Sequence, residues 1–463
     1  MRTHRHQMVA LLGAAAVGWA LSSGATAGAE PPNPADPVAV SPEGKPYTPS
    51  TSEPEYLTPI SDEEIWAQVP GRFLAWVEEK YGQSPGFVGG RLDYETKSVR
   101  LGWTQGHDVP TSIPAEADRQ GVTLKLLRVR YTPADIAKAT ALLRTTLEQN
   151  FPEFSLGFID YTDPSDVVLR ARGVMSPGRS LASLISNVEK DPSLAGLPVR
   201  FTVISDGSKK PRSYEVLVDD SELPPIADDN ASALPTRNTD WSPFNAGGFM
   251  RASVGNNWSV CSNTFGLWIA GVRHTNTADH CSRSWYYGFG SSRSYGSSYY
   301  VNSTGAGRVM QAEGAPLVFH GSITTTEVRR ILSWESPVIG QYYCTSGGNT
   351  GTHCSLKVNS VTDDFGVAEG FPHAFRRYVA VSTTPGSVAA AGGDSGGAFY
   401  QRITGNFQDA IASGIIQGGS ANMYGSACEP AQVDNVYCSD DVWVSRFSSH
   451  ASGAGGTLVK YGP

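Results

Sequence analysis

Two short stretches of this chain put reactive side chains into unusual backbone. Residues 391–399 read Ala-Gly-Gly-Asp-Ser-Gly-Gly-Ala-Phe, with Ser395 between an aspartate and two glycines. Residues 277–281 read Thr-Ala-Asp-His-Cys, with His280 beside a cysteine. A serine hydroxyl becomes a useful nucleophile when a base takes its proton during attack, and histidine suits that task near neutral pH. Glycines around the serine let backbone N–H groups approach a developing oxyanion. The same run is also what an ordinary turn looks like in a chain with 50 glycines among 463 residues, so the surrounding elements must decide.

Those elements begin with an export-type leader. Arg2 and Arg5 precede a short apolar run, Met8 to Leu21, and small residues follow at 25–29. This predicts a signal peptide over 1–29 and a secreted, extracellular protein with no membrane span. The six cysteines, Cys261, Cys281, Cys344, Cys354, Cys428 and Cys438, all lie beyond residue 260. An even number in one half of an exported chain predicts three disulfides, with nearest-neighbour pairing expected and a zinc site the alternative. Charge divides the chain similarly. Residues 28–240 hold 31 acids and 21 bases, a net of −10, whereas 241–463 hold 13 of each. No basic patch suggests a nucleic-acid partner.

Residues 30–59 are proline-rich and predict a linker. Ser61 followed by Asp62, Glu63 and Glu64 reads as a helix start, continued by Ile65, Val69, Phe73 and Val77. Residues 121–204 read as β-α-β-β-α-β, a split βαβ pattern, with Thr132-Pro133 opening its first helix. "RLDYETKSVRLGW" at 91–103 echoes "GFIDYTDPSDVVLRA" at 157–171, which raises the idea of two related subdomains. The span 60–204 is therefore expected to be an α+β region, and 205–244 an exposed linker open to proteolysis. From 245 to 463 short apolar runs alternate with Gly/Ser turns, which predicts an all-β domain, with a helix expected only near 442–450.

The order of "TADHC" then "GDSGG" resembles the chymotrypsin-like serine proteases. "CTSGGNTGTHC" at 344–354 resembles the streptogrisin and alpha-lytic protease branch, whose members carry a pro-region. The resemblance covers about 245–450. It implies two six-stranded antiparallel barrels after an α+β pro-region, and a secreted serine endopeptidase made as a zymogen. It needs no cofactor or metal, takes a protein or peptide substrate and its own pro-region as partners, and is expected to be a monomer. It further implies Ser395 as nucleophile, His280 as base, and the N–H groups of Gly393 and Ser395 as oxyanion hole. Asp394 would make a buried ion pair that holds the oxyanion loop.

The sequence departs from that pattern where the family has its third catalytic member. No aspartate lies between His280 and Cys344; the acids there are Glu313, Glu327 and Glu335. Glu313, directly before an expected core strand, is the candidate triad acid. Gln417 stands where the family usually has a serine touching that acid, and Thr345 where the branch often has an arginine. Ala389, at the base of the implied specificity pocket, with Gln417, Gly418 and Gly419 along its wall, implies an apolar or small residue before the cleaved bond. The same departures fit a second reading, a catalytically impaired protease-like binding module.

Overall fold

The structure, a computed structural model, describes residues 60–163, 167–197, 199–205, 212–213, 216–219, 223, 235–281, 284–287, 294–300, 307–362, 377–384, 387–428 and 430–462. The expected leader and proline-rich linker lie outside these residues. None of the described helices is long and apolar enough to cross a membrane.

The acidic half opens with helix α1 (Asp62–Tyr81), capped by Ser61, whose hydroxyl accepts the Glu64 N–H at 3.1 Å. Phe73 and Val77 are buried as the periodicity implies, whereas Ile65 and Val69 are exposed. Strands β1 (Phe87–Asp93) and β2 (Ser98–Thr104), helix α2 (Ser112–Gln120) and strand β3 (Leu124–Val129) follow. Helix α3 (Pro133–Asn150) starts on a full capping box between Thr132 and Asp135. Then come β4 (Phe154–Asp160), β5 (Val168–Met175), helix α4 (Leu181–Lys190) and β6 (Arg200–Ser205).

These elements form two three-stranded sheets of one design, β1-β2-β3 and β4-β5-β6. Each is an antiparallel hairpin with a parallel third strand. The echo at 91–103 and 157–171 marks the two equivalent hairpins. The split βαβ reading of 121–204 is corrected: β3 pairs along its whole length with β2, from Val99↔Leu124 to Thr104↔Val129, so it closes the first sheet. The repeat unit is α-β-β-α-β, with a parallel crossover through α2 or α4.

The all-β half holds two antiparallel groups of six strands, set within sheets of nine and ten strands that strands 257–262, 328–334, 314–319 and 244–246 extend. In the first, strands 264–269, 272–277, 308–310, 294–300, 284–287 and 249–254 pair in that order. They curl about one core containing Phe265, Leu267, Met310, Tyr295, Trp285 and Met250. The second is a closed ring of strands 342–347, 351–362, 377–382, 441–446, 409–419 and 398–402, the last returning to the first, every pairing antiparallel. The segment expected to be helical near 442–450 is divided: Asp441–Arg446 completes the ring, and helix α5 (Phe447–Ala454) begins after it. All six cysteines are paired as nearest neighbours, Cys261–Cys281, Cys344–Cys354 and Cys428–Cys438.

The α+β half docks on the second barrel. Glu64 of α1 and Arg402 form an ion pair with both side chains buried, 3.0 Å apart. Tyr342 donates to Glu63 at 2.7 Å, Gln341 to the Ala67 carbonyl at 3.1 Å, and Arg446 pairs with Glu78 at 3.3 Å. Further along, Phe158 of β4 packs edge-on against Trp443. Breaking one partner of a buried pair leaves an uncompensated charge, so this seam is specific as well as extensive.

Glu335 sits in the same seam, beside Arg72 and Glu79 of α1. Burial pushes its carboxyl up to about 7, helped by Glu79 and opposed by Arg72. A raised folded-state pKa means stability that is full below the ordinary carboxyl range and lost as pH rises through about 7. Thermal unfolding of the intact chain checks this. Raising the pH from 5 to 8 should lower Tm by about 2 °C more in wild type than in Glu335→Gln. Parallel curves for the two proteins would remove Glu335 from the account.

Candidate active site

His280 stands in a tight turn that follows strand 272–277. The strand ends where the Thr277 hydroxyl donates to the Ser262 carbonyl at 2.7 Å. The turn closes through Cys281 N–H to the Ala278 carbonyl at 3.3 Å and is tied back by the Cys261–Cys281 disulfide. Because Asp279 and His280 lie in a turn and not a strand, their side chains need not point to opposite faces.

Ser395 sits in a second turn, where the glycines are required. Gly393 and Gly396 have φ of +94° and +86°. A Cβ on Gly396 would come within 2.1 Å of the Thr277 hydroxyl and 2.2 Å of the Ser262 carbonyl. The serine turn and the histidine strand are in direct backbone contact, and Ser262 N–H also donates to the Ser395 carbonyl at 2.7 Å.

The two turns bring the reactive groups together. His280 Nε2 and Ser395 Oγ are 2.7 Å apart, and Oγ lies 3.2 Å from the Gln417 carbonyl. Among the described residues, neither the Gly393 nor the Ser395 N–H donates to a protein acceptor. The serine turn therefore holds, among the described residues, two unspent backbone donors.

The acid beside the histidine is not the one the sequence suggested. Glu313 does not reach His280; its carboxylate is half exposed and pairs with Arg273 at 3.0 Å. The carboxylate against His280 Nδ1 is that of Asp279, with Oδ1 at 3.1 Å and the side chain fully buried. Spacing arguments sought the acid downstream of the histidine, whereas it immediately precedes it, inside the motif itself. The signal was the aspartate in "TADHC". Positive charge surrounds it. Burial pulls Arg377 down to about 9 and Asp279 opposes that shift; Asp279 acts likewise on Arg308. His450, buried nearby, is pushed down to about 4 by desolvation, again opposed by Asp279.

Asp394 is held differently from the expected ion pair. Its carboxylate accepts N–H groups of Ala391 at 2.9 Å, Asn349 at 2.9 Å and Thr350 at 3.1 Å, and the Thr350 hydroxyl. Burial pushes its pKa up, and these bonds pull it back. Thr350 in turn accepts from His353 Nε2 at 3.0 Å, and burial holds that imidazole down to about 4 and therefore neutral. Thr345 donates to the Ala389 carbonyl at 2.7 Å. Ala389 is buried, and Gln417 turns its amide to the Ser445 hydroxyl at 2.8 Å and not toward an acid.

The chain itself runs along the site. Strand β7 (Arg212–Ser213) pairs with Gly419 and Gly418, next to Gln417. Strand β8 (Val216–Asp219) pairs with 257–260, and Val216 lies against Gly392, adjacent to Gly393.

No protein-family model matches this chain, and no curated protein matches it. Solved structures do. Thermobifida fusca Protease A has a TM-score of 0.33 and 20% identity over 47% of this chain and 98% of its own. A glutamic-acid-specific serine protease that uses a histidine triad in substrate binding has a TM-score of 0.32 and 22% identity over 46% and 98%. Nocardiopsis protease has 0.31 and 19% over 46% and 97%.

The contact between the two turns yields a direct test. Gly396→Ala adds a methyl against backbone at positive φ and should cost about 3 kcal/mol or more. Gly405, at φ +77° with nothing within 4 Å of an added Cβ, meets the conformational penalty alone. Gly405→Ala should cost about 1 kcal/mol. Denaturant midpoints of the two variants measure the difference; equal losses would mean that the turns do not pack as described.

Proposed function

We propose that this chain is an exported serine endopeptidase made as a zymogen. The observation that carries the reading is the 2.7 Å contact of Ser395 Oγ with His280 Nε2 beside the two unspent N–H donors. Ser395 Oγ attacks the carbonyl carbon of a peptide bond while His280 Nε2 takes the hydroxyl proton. The carbonyl oxygen becomes an oxyanion held by the Gly393 and Ser395 N–H groups. As the C–N bond breaks, the imidazolium returns the proton to the leaving amine, and water repeats the sequence on the acyl-enzyme.

In this reading Asp279, not Glu313, orients the imidazole and stabilises its charged form. A carboxylate at Nδ1 fixes the tautomer with Nε2 free to accept, which is the condition for general-base action. Asp279 is buried, and it acts electrostatically on Arg308 and Arg377, opposing the effect of burial on each. Buried Ala389 at the pocket base favours an apolar or small residue before the cleaved bond.

The zymogen reading is supported by the path of β7 and β8. A strand added beside Gly418–Gly419 uses the backbone bonds that an extended substrate would use. The intact chain therefore competes with substrate for its own cleft, and its first substrate is the stretch 212–219.

Two outcomes follow. Wild type should be recovered cut within 212–219 and should take up one fluorophosphonate at Ser395, by intact mass, with Ser387 and Ser413 unmodified. Ser395→Ala should stay intact. Folded, processed wild type that remains unlabelled would establish the binding-module reading instead.

Turnover of an apolar peptide substrate separates the acids. Asp279→Asn should lose roughly 10³- to 10⁴-fold, the scale of the equivalent change in the serine-protease template, while Glu313→Gln stays within about twofold of wild type, as a surface change would. The reverse ranking would return the role to Glu313.

A further inference from the structure

Arg237 lies in the stretch 235–240, ahead of the first barrel, and is completely buried. A guanidinium does not shed its proton in proteins, so such burial is tolerable only when its N–H groups are matched. Nε donates to the Ser322 carbonyl at 3.0 Å. Nη1 donates to the Gly247 carbonyl at 2.8 Å, the Ser346 hydroxyl at 2.8 Å and the Gly347 carbonyl at 3.1 Å. Nη2 reaches the Gly321 carbonyl at 3.2 Å and the Thr352 hydroxyl at 2.9 Å. One side chain from the region expected to be linker thus gathers four separate segments of the β half.

Its neighbour extends the grip. Asn238 binds the Gln432 side chain, which donates to the Gly348 carbonyl, and Gln432 N–H donates to Asn349 Oδ1 at 2.9 Å. The loop held from both ends, 346–350, is the one that holds the serine turn. Asn349 and Thr350 supply N–H groups to Asp394, and the Asn349 amide donates to the Gly392 carbonyl at 2.6 Å. Gly348 N–H donates to the Ser262 hydroxyl at 2.7 Å, which donates to the Gly393 carbonyl at 2.8 Å. The Gly393 peptide is therefore fixed through a continuous chain of bonds that starts at Arg237.

We infer that Arg237 is a positioning residue for the oxyanion hole, acting through loop 346–350, and that the catalytic half begins before it. This rests on the hydrolase reading above. Arg237 supplies no proton and touches no reacting atom. It sets where the Gly393 N–H points by fixing the loop behind it. Processing must then leave 235–240 attached, because a cut after Arg237 would remove the clamp. The expected boundary at 245 moves upstream accordingly.

The test uses the full chain as wild type, Arg237→Ala and Arg237→Lys. Fluorophosphonate labelling rate, kcat and KM are measured on folded, processed protein. An oxyanion donor is worth about 10²- to 10³-fold, and an indirect loss should reach roughly 10- to 100-fold in kcat and labelling for Arg237→Ala. KM should stay within about threefold, as expected for an interaction made only in the transition state. Arg237→Lys keeps the charge without the planar fork and should fall between. Guanidinium ion, at concentrations below those that unfold the protein, should restore part of the Arg237→Ala rate. A merely structural arginine would lower the folded fraction, leave the rate per folded molecule unchanged and show no such recovery. Wild-type labelling rates in folded Arg237→Ala, or in Arg237→Lys where the alanine variant does not fold, overturn the inference. Unlabelled wild type overturns the hydrolase reading itself, a distinct result.

Discussion

The buried carboxylate of Asp394 is the constraint on which the active region depends. A lone carboxylate away from water is expensive, and its cost is met only if several donors converge on it. Three backbone N–H groups and the Thr350 hydroxyl do so, from both its own turn and loop 346–350. The carboxylate therefore locks two loops to each other, and with them the peptide that presents Gly393. From the opposite side, Gly396 lets the same turn touch the end of the strand that leads into the His280 turn. The serine sits where the two barrels are pressed together, and the 2.7 Å spacing to His280 follows from that double constraint.

The adjacency of Asp279 and His280 changes what the surrounding fold must do. In the proposed site the orienting acid does not come from a distant strand, which would require the barrel to hold two remote segments in register. Here one turn supplies both groups, and the disulfide at Cys281 anchors it. What the fold must supply instead is a buried pocket that places positive charge near that carboxylate. Arg308, Arg377 and Asn276-bound His450 surround that pocket, from strands 308–310 and 377–382 and helix α5. A short-range acid thus carries a long-range requirement, met by residues of both barrels.

Much of the architecture was legible in the sequence because it rests on local signals. The Thr132-Pro133 start of α3, the strand alternation and the two reactive motifs are readable within a few residues, and the cysteine pairing follows neighbours 10 to 20 residues apart. What was not legible depends on contacts far apart in the chain. β3 looks like the start of the second subdomain because it directly precedes α3, yet its edge pairs with β2. Glu313 precedes a core strand as expected, since its carbonyl accepts Phe244 N–H at 2.8 Å, but its side chain points outward to Arg273. Strand alternation fixes which face a residue occupies only once the register is known. Arg237 was invisible for a different reason: an arginine in a Ser/Pro/Asn-rich stretch reads as exposed until six oxygens are found around it.

The docking of the α+β half adds a thermodynamic argument about release. Its contacts named above fall on the second barrel, including the buried Glu64–Arg402 pair. In the proposed zymogen, β7 is delivered to Gly418–Gly419 at a high effective concentration while the chain is continuous, and free substrate competes poorly for the same edge. In that zymogen a cut beyond β7 leaves the strand tethered through β6 to the acidic half, which the α1 seam still holds. On that reading cleavage alone leaves both β7 and the acidic half in place. Its departure must be driven by weakening of the seam, where Glu64 and Arg402 form a buried pair, Glu78 pairs with partly buried Arg446, and Glu335 is held up to about 7 by burial. Rising pH charges Glu335 beside Glu79 and so favours separation, while the paired carboxylates resist it. In the proposed zymogen, opening of the edge at Gly418–Gly419 therefore waits on departure of the acidic half, and the bonds of the α1 seam govern both.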